Sequence, residues 1–371
     1  MVSQQTETLV IGGGIIGVSI AYGLRKKGSS VILLDNEDQT LTASRANFGL
    51  VWVQGKGSGM QRYVDWCLEA VKLWPGFSMS LEEETGLKLN YEKTGGFEIC
   101  LGDEEFANRV SFLEDMKKQS PNGQYECQML AKDELQEMLP KIKLGDEVSG
   151  ASYCVHDGIV DPLNLLRAFY QGFSQRGGNY HPDQKVVDIQ KDGSGFLVKT
   201  QTQQFKTQKL VIASGLGTTE LAKLVGMKIP VNPQKGQVLV TERTAKLFPY
   251  ATGTIRQNAN GSFMFGASHE DTGFEVETTT DILQTLISRA LRTFPILKNI
   301  QLVRTWAALR VLTPDQKPVY CESEECSGAF ALTSHSGVSL APLHSEKISK
   351  WVLEGEVPPD FESFHPRRFN V

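Results

Sequence analysis

Six residues near the start, Gly12-Gly13-Gly14-Ile15-Ile16-Gly17, restrict what this chain can become more than anything else in it. They follow Thr8-Leu9-Val10-Ile11, an apolar β-branched run that suits a strand buried on both faces. Val18 to Lys27 then reads as a helix ended by Gly28, and Ser30 to Asp35 as a second buried strand closing on an acid. Strand, glycine turn, helix and strand within about 30 residues make one βαβ unit. Each part has a physical task. Gly12 permits the tight turn, Gly14 lets the backbone approach a pyrophosphate, and Gly17 lets the helix pack against the sheet. The helix N-terminus offers unpaired N–H groups and its positive dipole end to the diphosphate. Asp35, eighteen residues after Gly17, can accept hydrogen bonds from adenosine ribose hydroxyls, and an acid there disfavours a 2′-phosphate. The unit predicts a bound dinucleotide and admits both FAD and NAD.

The chain has 371 residues, enough for two domains at about 150 residues each. Its net charge is −5, from 38 Lys and Arg against 43 Asp and Glu, with no dense basic cluster. That excludes a nucleic-acid binder, whose affinity comes from phosphate neutralisation. No apolar run approaches the ~18–20 residues of a membrane span, and the polar start, Met-Val-Ser-Gln-Gln-Thr-Glu, does not read as a signal peptide. Cys67, Cys100, Cys127, Cys154, Cys321 and Cys326 are scattered, with no CxxC and no histidine at metal spacing. They predict buried thiols in a reducing compartment and no metal site, hence a soluble cytoplasmic protein.

The remaining chain alternates helical and strand patterns. A helix is expected over 61–86, with Trp66, Ala70, Leu73 and Trp74 as its apolar stripe, then a strand at 96–100 and helices near 103–119 and 131–139. Asp157-Gly158-Ile159-Val160-Asp161-Pro162 introduces a helix to about 177. Strands follow at 186–189, 196–200 and 209–213, the last running into a glycine-rich turn before a helix over 219–225. Several short β-runs between 229 and 266 imply an antiparallel sheet laid on the nucleotide-binding layer. A helix over 280–294, a strand over 328–333 and a last helix from Pro342 to Gly355 complete the reading.

With these segments in order, the sequence resembles the D-amino acid oxidase superfamily of FAD flavoproteins. Its branch holds glycine oxidase, the sarcosine oxidase β subunit, and the β subunits of opine and D-hydroxyproline dehydrogenases. The carrying segments are 12–17 with Asp35, 44–50, 157–162, Ala213-Ser214-Gly215, 230–237, Trp306-Ala307-Ala308-Leu309-Arg310 with Thr313-Pro314-Asp315, and 335–342. They span nearly the whole chain. The wording of 47–57 and the ending His-Ser-Gly-Val-Ser-Leu-Ala-Pro are most similar to the opine-type β subunits.

The resemblance implies an α/β fold. A Rossmann-like FAD-binding domain would occupy 1–83, 146–227 and 305–371, with an interleaved antiparallel-sheet substrate domain at 84–145 and 228–304. It would put Gly12, Gly14, Ile16 and Gly17 at the pyrophosphate and Asp35 at the adenosine ribose. Ser44, Arg45, Asn47, Gly49 and Leu50 would follow the diphosphate, ribityl chain and flavin ring. Val186 would meet adenine through its backbone, and Ser214 and Gly215 would close under the diphosphate. His335, Ser336, Gly337, Val338 and Ser339 would lie along the flavin edge, where a helix N-terminus can stabilise negative charge.

Arg310 ends an apolar strand, and the family's matching arginine captures the substrate carboxylate with its planar fork. The competing reading is an internal ion pair. Lys56, in a glycine-rich loop, is a second catalytic candidate, set against an exposed loop lysine. His335 is the third, in proton transfer or as a hydrogen-bonded structural group. Trp52 and Trp306 read as core or pocket wall. Two departures matter. The histidine or cysteine that binds flavin covalently in monomeric sarcosine oxidases has no counterpart near 44–49 or Gly337, which implies non-covalent FAD. Thr254 stands where glycine oxidases place a substrate-binding tyrosine, and Tyr250 is out of register.

The implied reaction is oxidation of a C–N bond beside a carboxylate, by hydride transfer from Cα to flavin N5. Substrates would be a D-amino acid, an N-substituted amino acid or an opine. The alternatives are a flavin-bearing β subunit that needs electron-transfer partner subunits, an oxygen-using glycine or sarcosine-type oxidase, and an NAD-dependent dehydrogenase.

Overall fold

A computed structural model describes residues 4–36, 41–120, 125–359 and 361–370. Two eight-stranded sheets organise it. In the first, the parallel strands run in the order Ala329–Thr333, Gln204–Ile212, Gln4–Ile11, Val31–Leu34 and Asn179–His181. Val319–Glu322 closes one edge antiparallel, and the hairpin Val186–Asp192 with Gly195–Thr200 branches off Gln204–Ile212.

The apolar runs that mark these strands divide between two cores. Val10, Leu33, Val211 and Phe330 face the helices Ile15–Lys26, Gln61–Thr85 and Pro162–Gln175. Leu9, Ile11, Ile32, Leu34 and Ile212 face the hairpin and the short helix Thr218–Lys223. Burial on both faces is why the sequence shows continuous apolar stretches rather than alternation. At the crossover Gly12 has φ +111°, and a side chain there would collide with Ala213 O. A side chain at 17 would strike Gly12 O, so the helix sits directly on the turn.

The helix Gln61–Thr85 ends on a left-handed Gly86 and carries Pro75 internally. Its buried row contains Trp66, Cys67, Ala70, Val71 and Trp74, whereas Leu73 is exposed. Leu73 lies outside the 66–70–74 row of the 3.6-residue repeat.

The second sheet runs Leu302–Leu312, Asn232–Arg243, Ser262–Phe265, Ile255–Gln257, Ala251–Thr252, Gly96–Leu101, Val148–Cys154 and Cys127–Ala131. All its neighbours are antiparallel except Ala251–Thr252 against Gly96–Leu101. Val148–Cys154 and Leu302–Leu312 belong here, although the sequence-derived ranges put 146–227 and 305–371 with the nucleotide layer. The reason is pairing: the first ladders onto Gly96–Leu101, and the second onto Asn232–Arg243 from Asn232↔Leu312 to Thr241↔Leu302. A two-stranded ribbon, Leu50–Val51 with Gly158–Ile159, ties the post-nucleotide loop to the 157–162 segment.

Candidate active site

Between the two sheets lies a cavity of about 910 Å³, within the ~300–1,000 Å³ of cofactor and ligand sites. Gly12, Gly14 and Ile16 line one end. Gly14 caps the helix Ile15–Lys26 without any side-chain cap, and its first turn carries no acid. The Ser44 hydroxyl accepts from Ile15 N at 2.8 Å. Beside this turn Arg45 Nη1 is buried with no hydrogen-bond partner among the described residues. An open helix N-terminus and an orphaned guanidinium nitrogen fit a bound diphosphate.

Ser214 and Gly215 face this end from the strand Gln204–Ile212. Asp35, Gln184 and Val186 line the far nucleotide end, where Gln184 N donates to Asp35 O at 2.7 Å. These residues fit an adenosine ribose and base. Arg45, Asn47 and Leu50 carry the wall onward to His335, Ser336, Gly337, Val338 and Ser339. The C-terminal loop is held from within the protein. Ser336 Oγ meets Tyr63 OH at 2.6 Å, Ser339 Oγ accepts from Trp52 N at 2.9 Å, and a Cβ on Gly337 would come within 2.7 Å of Ile15.

Two glycines named from the sequence do not line the cavity. Gly17 is covered by the turn it packs on. Gly49 lies behind the wall, donating its N–H to Asn47 Oδ1 at 2.7 Å, while its carbonyl accepts from Arg256 Nη1 at 3.0 Å. Arg256, which sequence reading passed over, also donates to Phe48 O at 2.6 Å and Val160 O at 3.0 Å. It fastens the second sheet to the loop along the cofactor. The sequence carries no local signal for it, because its partners are Phe48, Gly49 and Val160.

The other end of the cavity is built of side chains. Arg310 pairs in register with Gln234, and its Nη1 donates to Lys235 O at 3.2 Å. Gly236 leaves room for it, since a Cβ there would come within 2.8 Å of the guanidinium. Among the described residues no carboxylate lies within 4.0 Å of Arg310. The nearby acid Glu270 is taken by buried Lys235 at 3.1 Å and by Gln237 Nε2 at 3.0 Å. The internal ion pair expected as the alternative for Arg310 is therefore not what the structure contains. Burial lowers its pKa and Glu270 opposes that shift.

Lys56 is not an exposed loop lysine. The turn folds inward, with Lys56 N donating to Val53 O at 3.0 Å, and the half-buried side chain lines the cavity. Burial lowers its pKa, opposed by the negative charge of Asp157 and Glu98. His335 is held well below the usual histidine range by burial and then by Lys56 and Arg310, so it is neutral at working pH. His269 also lines this end, with Nδ1 2.9 Å from Gln234 Oε1.

Glu98 is the main residue missed. It faces the cavity beneath Gly253, and burial raises its pKa against the pull of Arg109, Arg289 and Lys56. A lone acid in the apolar run Gly96-Phe97-Glu98-Ile99-Cys100 was its trace. Trp52 and Thr254 line the wall. Trp306 instead stands behind it, its Nε1 3.4 Å from Ala46 O, and Tyr250 stacks in the core of the second sheet, 4.8 Å from Phe97.

The family of FAD dependent oxidoreductases designated DAO matches residues 7–351. An opine oxidase subunit from Agrobacterium tumefaciens (strain Ach5) is 34% identical over 367 residues, covering 99% of this chain and 98% of that protein. Hydrogen cyanide synthase subunit HcnC from Pseudomonas aeruginosa is 26% identical over 406 residues, covering 98% and 96%. The crystal structure of glycine oxidase from Geobacillus kaustophilus superposes with a TM-score of 0.90 at 25% identity over 98% of each chain. No helix among the described residues is long and apolar enough to cross a membrane. Because the family match takes in both sheets and the cavity between them, the chain belongs to the DAO family and is an FAD-dependent oxidoreductase.

Proposed function

We propose that this protein oxidises the C–N bond of an amino acid or N-substituted amino acid, opines included, as the flavin-bearing subunit of a multi-subunit dehydrogenase. The observation that carries the reading is Arg310: a half-buried guanidinium at the cavity wall that no carboxylate of the described residues neutralises. A planar fork held by a backbone carbonyl is preorganised to take a substrate carboxylate bidentately. Similarity to a protein named as a subunit of opine oxidase, over nearly all of both chains, supports both the substrate class and the need for partners.

FAD, when bound, supplies the acceptor for the hydride. The protein's own part is orientation and charge. Arg310 fixes the carboxylate, so the carbon bearing the amine has one approach to the cofactor half. Lys56 adds a second cation to the same end and favours acidic substrates. His335, neutral and buried, acts as a hydrogen-bonding wall. The substrate amine must lose its proton before it can push electrons, so activity rises with pH on the acid side. We place 4–36, 41–85, 158–230, 313–359 and 361–370 in the cofactor domain and the strands of the second sheet in the substrate domain. FAD is held without a covalent bond, since neither a histidine nor a cysteine stands in 44–49.

The test is a substrate screen of the holoenzyme under anaerobic conditions, over D-amino acids, N-alkylglycines, D-proline derivatives and opines, read by flavin bleaching. Bleaching by a carboxylate-bearing amine, with faster turnover using an artificial dye than oxygen, is expected. Bleaching by hydroxy acids alone would overturn the proposal. Turnover with oxygen as fast as with dye would favour a glycine-type oxidase.

A further inference from the structure

The turn that carries Lys56 into the cavity is anchored by one buried acid. Asp157 is fully buried. Its Oδ1 accepts from Val53 N at 2.6 Å and Gln54 N at 3.3 Å, and its Oδ2 accepts from Gln54 Nε2 at 2.7 Å. Gln54 has no freedom to turn over. Its Oε1 already accepts from Arg109 Nη2 at 2.8 Å and Ser152 Oγ at 2.7 Å, so its amide nitrogen must face Asp157 and Gly96 O. Position 157 therefore has to present acceptors only, to three donors of one two-residue stretch.

Two residues further on comes Lys56, whose ammonium has no carboxylate within 4.0 Å among the described residues. An ammonium in such a wall loses its charge readily unless negative charge stands nearby. The groups around Asp157 are few. Cys67, Cys154 and Tyr153 are kept neutral because their pKa values are raised, and His156 turns away to Glu126 at 2.9 Å. Glu98 and Lys56 face the cavity side, and Arg109 stands behind Gln54. Burial pushes Asp157 up to about 7, which leaves it ionised above neutrality.

We infer that Asp157 is a positioning residue for Lys56: it fixes the turn that aims the ammonium into the substrate half, and its charge helps keep that ammonium protonated. The inference rests on the reading of that half as a carboxylate-binding site. It assigns no contact between Asp157 and substrate.

The experiment uses the FAD-loaded protein and benzoate as the carboxylate probe, with binding followed by flavin absorbance between about pH 7 and pH 10. Wild type, Asp157→Asn, Lys56→Met and the double variant form a cycle. His335 and His269, both lowered by burial, are neutral over this range, and the Lys56→Met arm identifies how much of the alkaline loss of benzoate binding belongs to Lys56. Removing the negative charge makes Lys56 lose its proton at lower pH. Asp157→Asn should therefore move the alkaline midpoint down by about half to one pH unit and weaken binding roughly threefold to tenfold along that limb. Lys56→Met should erase that limb, and adding Asp157→Asn to it should change nothing further.

An equal loss from Asp157→Asn with and without Lys56 would overturn the inference while leaving the carboxylate site standing. Failure of wild type to bind benzoate, or binding indifferent to Arg310→Ala, would overturn the site and the inference together. If Asp157→Asn does not fold, Asp157→Asn with Gln54→Glu restores the donor–acceptor match between the two side chains, at the cost of the bond to Gly96 O, and moves the charge beside Arg109. The midpoint should fall in that variant also, and an unchanged midpoint would refute the inference.

Discussion

In the half of the cavity proposed for the diphosphate, the lining residues come from short, contiguous stretches: Gly12, Gly14 and Ile16 on one turn, Ser214 and Gly215 on another. In the substrate half they are charged side chains, Arg310, Lys56 and Glu98, delivered by strands and turns far apart in the chain. The first half works by shape, because atoms are left out where a phosphate must approach. The second works by placing titratable groups where no close ion-pair partner stands among the described residues. A substitution in the first should fail by steric exclusion of cofactor, and one in the second by lost charge with cofactor still bound.

The sharpest way to break this contrast is Gly12→Val. With Ala213 O against the missing side chain, the variant should purify without the flavin absorption band, and a full complement of FAD would refute the account of this end. Arg310→Ala comes next. FAD content should hold while kcat/KM for a carboxylate substrate falls roughly 30-fold to a few thousand-fold, as for loss of a charge-assisted pair worth ~2–5 kcal/mol. Arg310→Lys should recover only part, because an ammonium lacks the fork. Loss of flavin from either variant would make Arg310 a structural residue instead.

Lys56→Met should cost roughly tenfold in kcat/KM, the size of one hydrogen bond to a charged group. The sign of its pH dependence follows from the lowered pKa: the ammonium is lost as pH rises, and at lower pH than an ordinary lysine loses it. Wild type should therefore lose activity at high pH, and Lys56→Arg should push that limb upward. A limb that does not move would sever Lys56 from substrate. The smallest effect is expected at His335. The ring is already neutral, so His335→Gln should stay within about threefold of wild type and leave the acid limb of the pH profile in place. A displaced acid limb would restore a proton-transfer role.

The contrast between the halves also explains what could be read before any coordinates. Gly12 to Asp35 is legible because strand, turn, helix and acid lie within one contiguous unit, and each has a local cause. Arg310 is legible as a charge ending an apolar strand. Arg256 is not, because its meaning lies in a distant pairing: it reaches Phe48 across 208 positions, just as Gln54 reaches Asp157 across 103. The domain ranges slipped for the same reason, since Val148–Cys154 and Leu302–Leu312 declare their sheet only through the strands they pair with.

The most direct measurement is an anaerobic comparison of one substrate as its free acid and as its carboxamide, in wild type and in Arg310→Ala, following the rate of flavin bleaching. The account predicts that wild type is bleached far faster by the acid, and that Arg310→Ala abolishes the difference while keeping its FAD. Equal rates for acid and amide in wild type, or a preference for the acid that survives removal of Arg310, would contradict it.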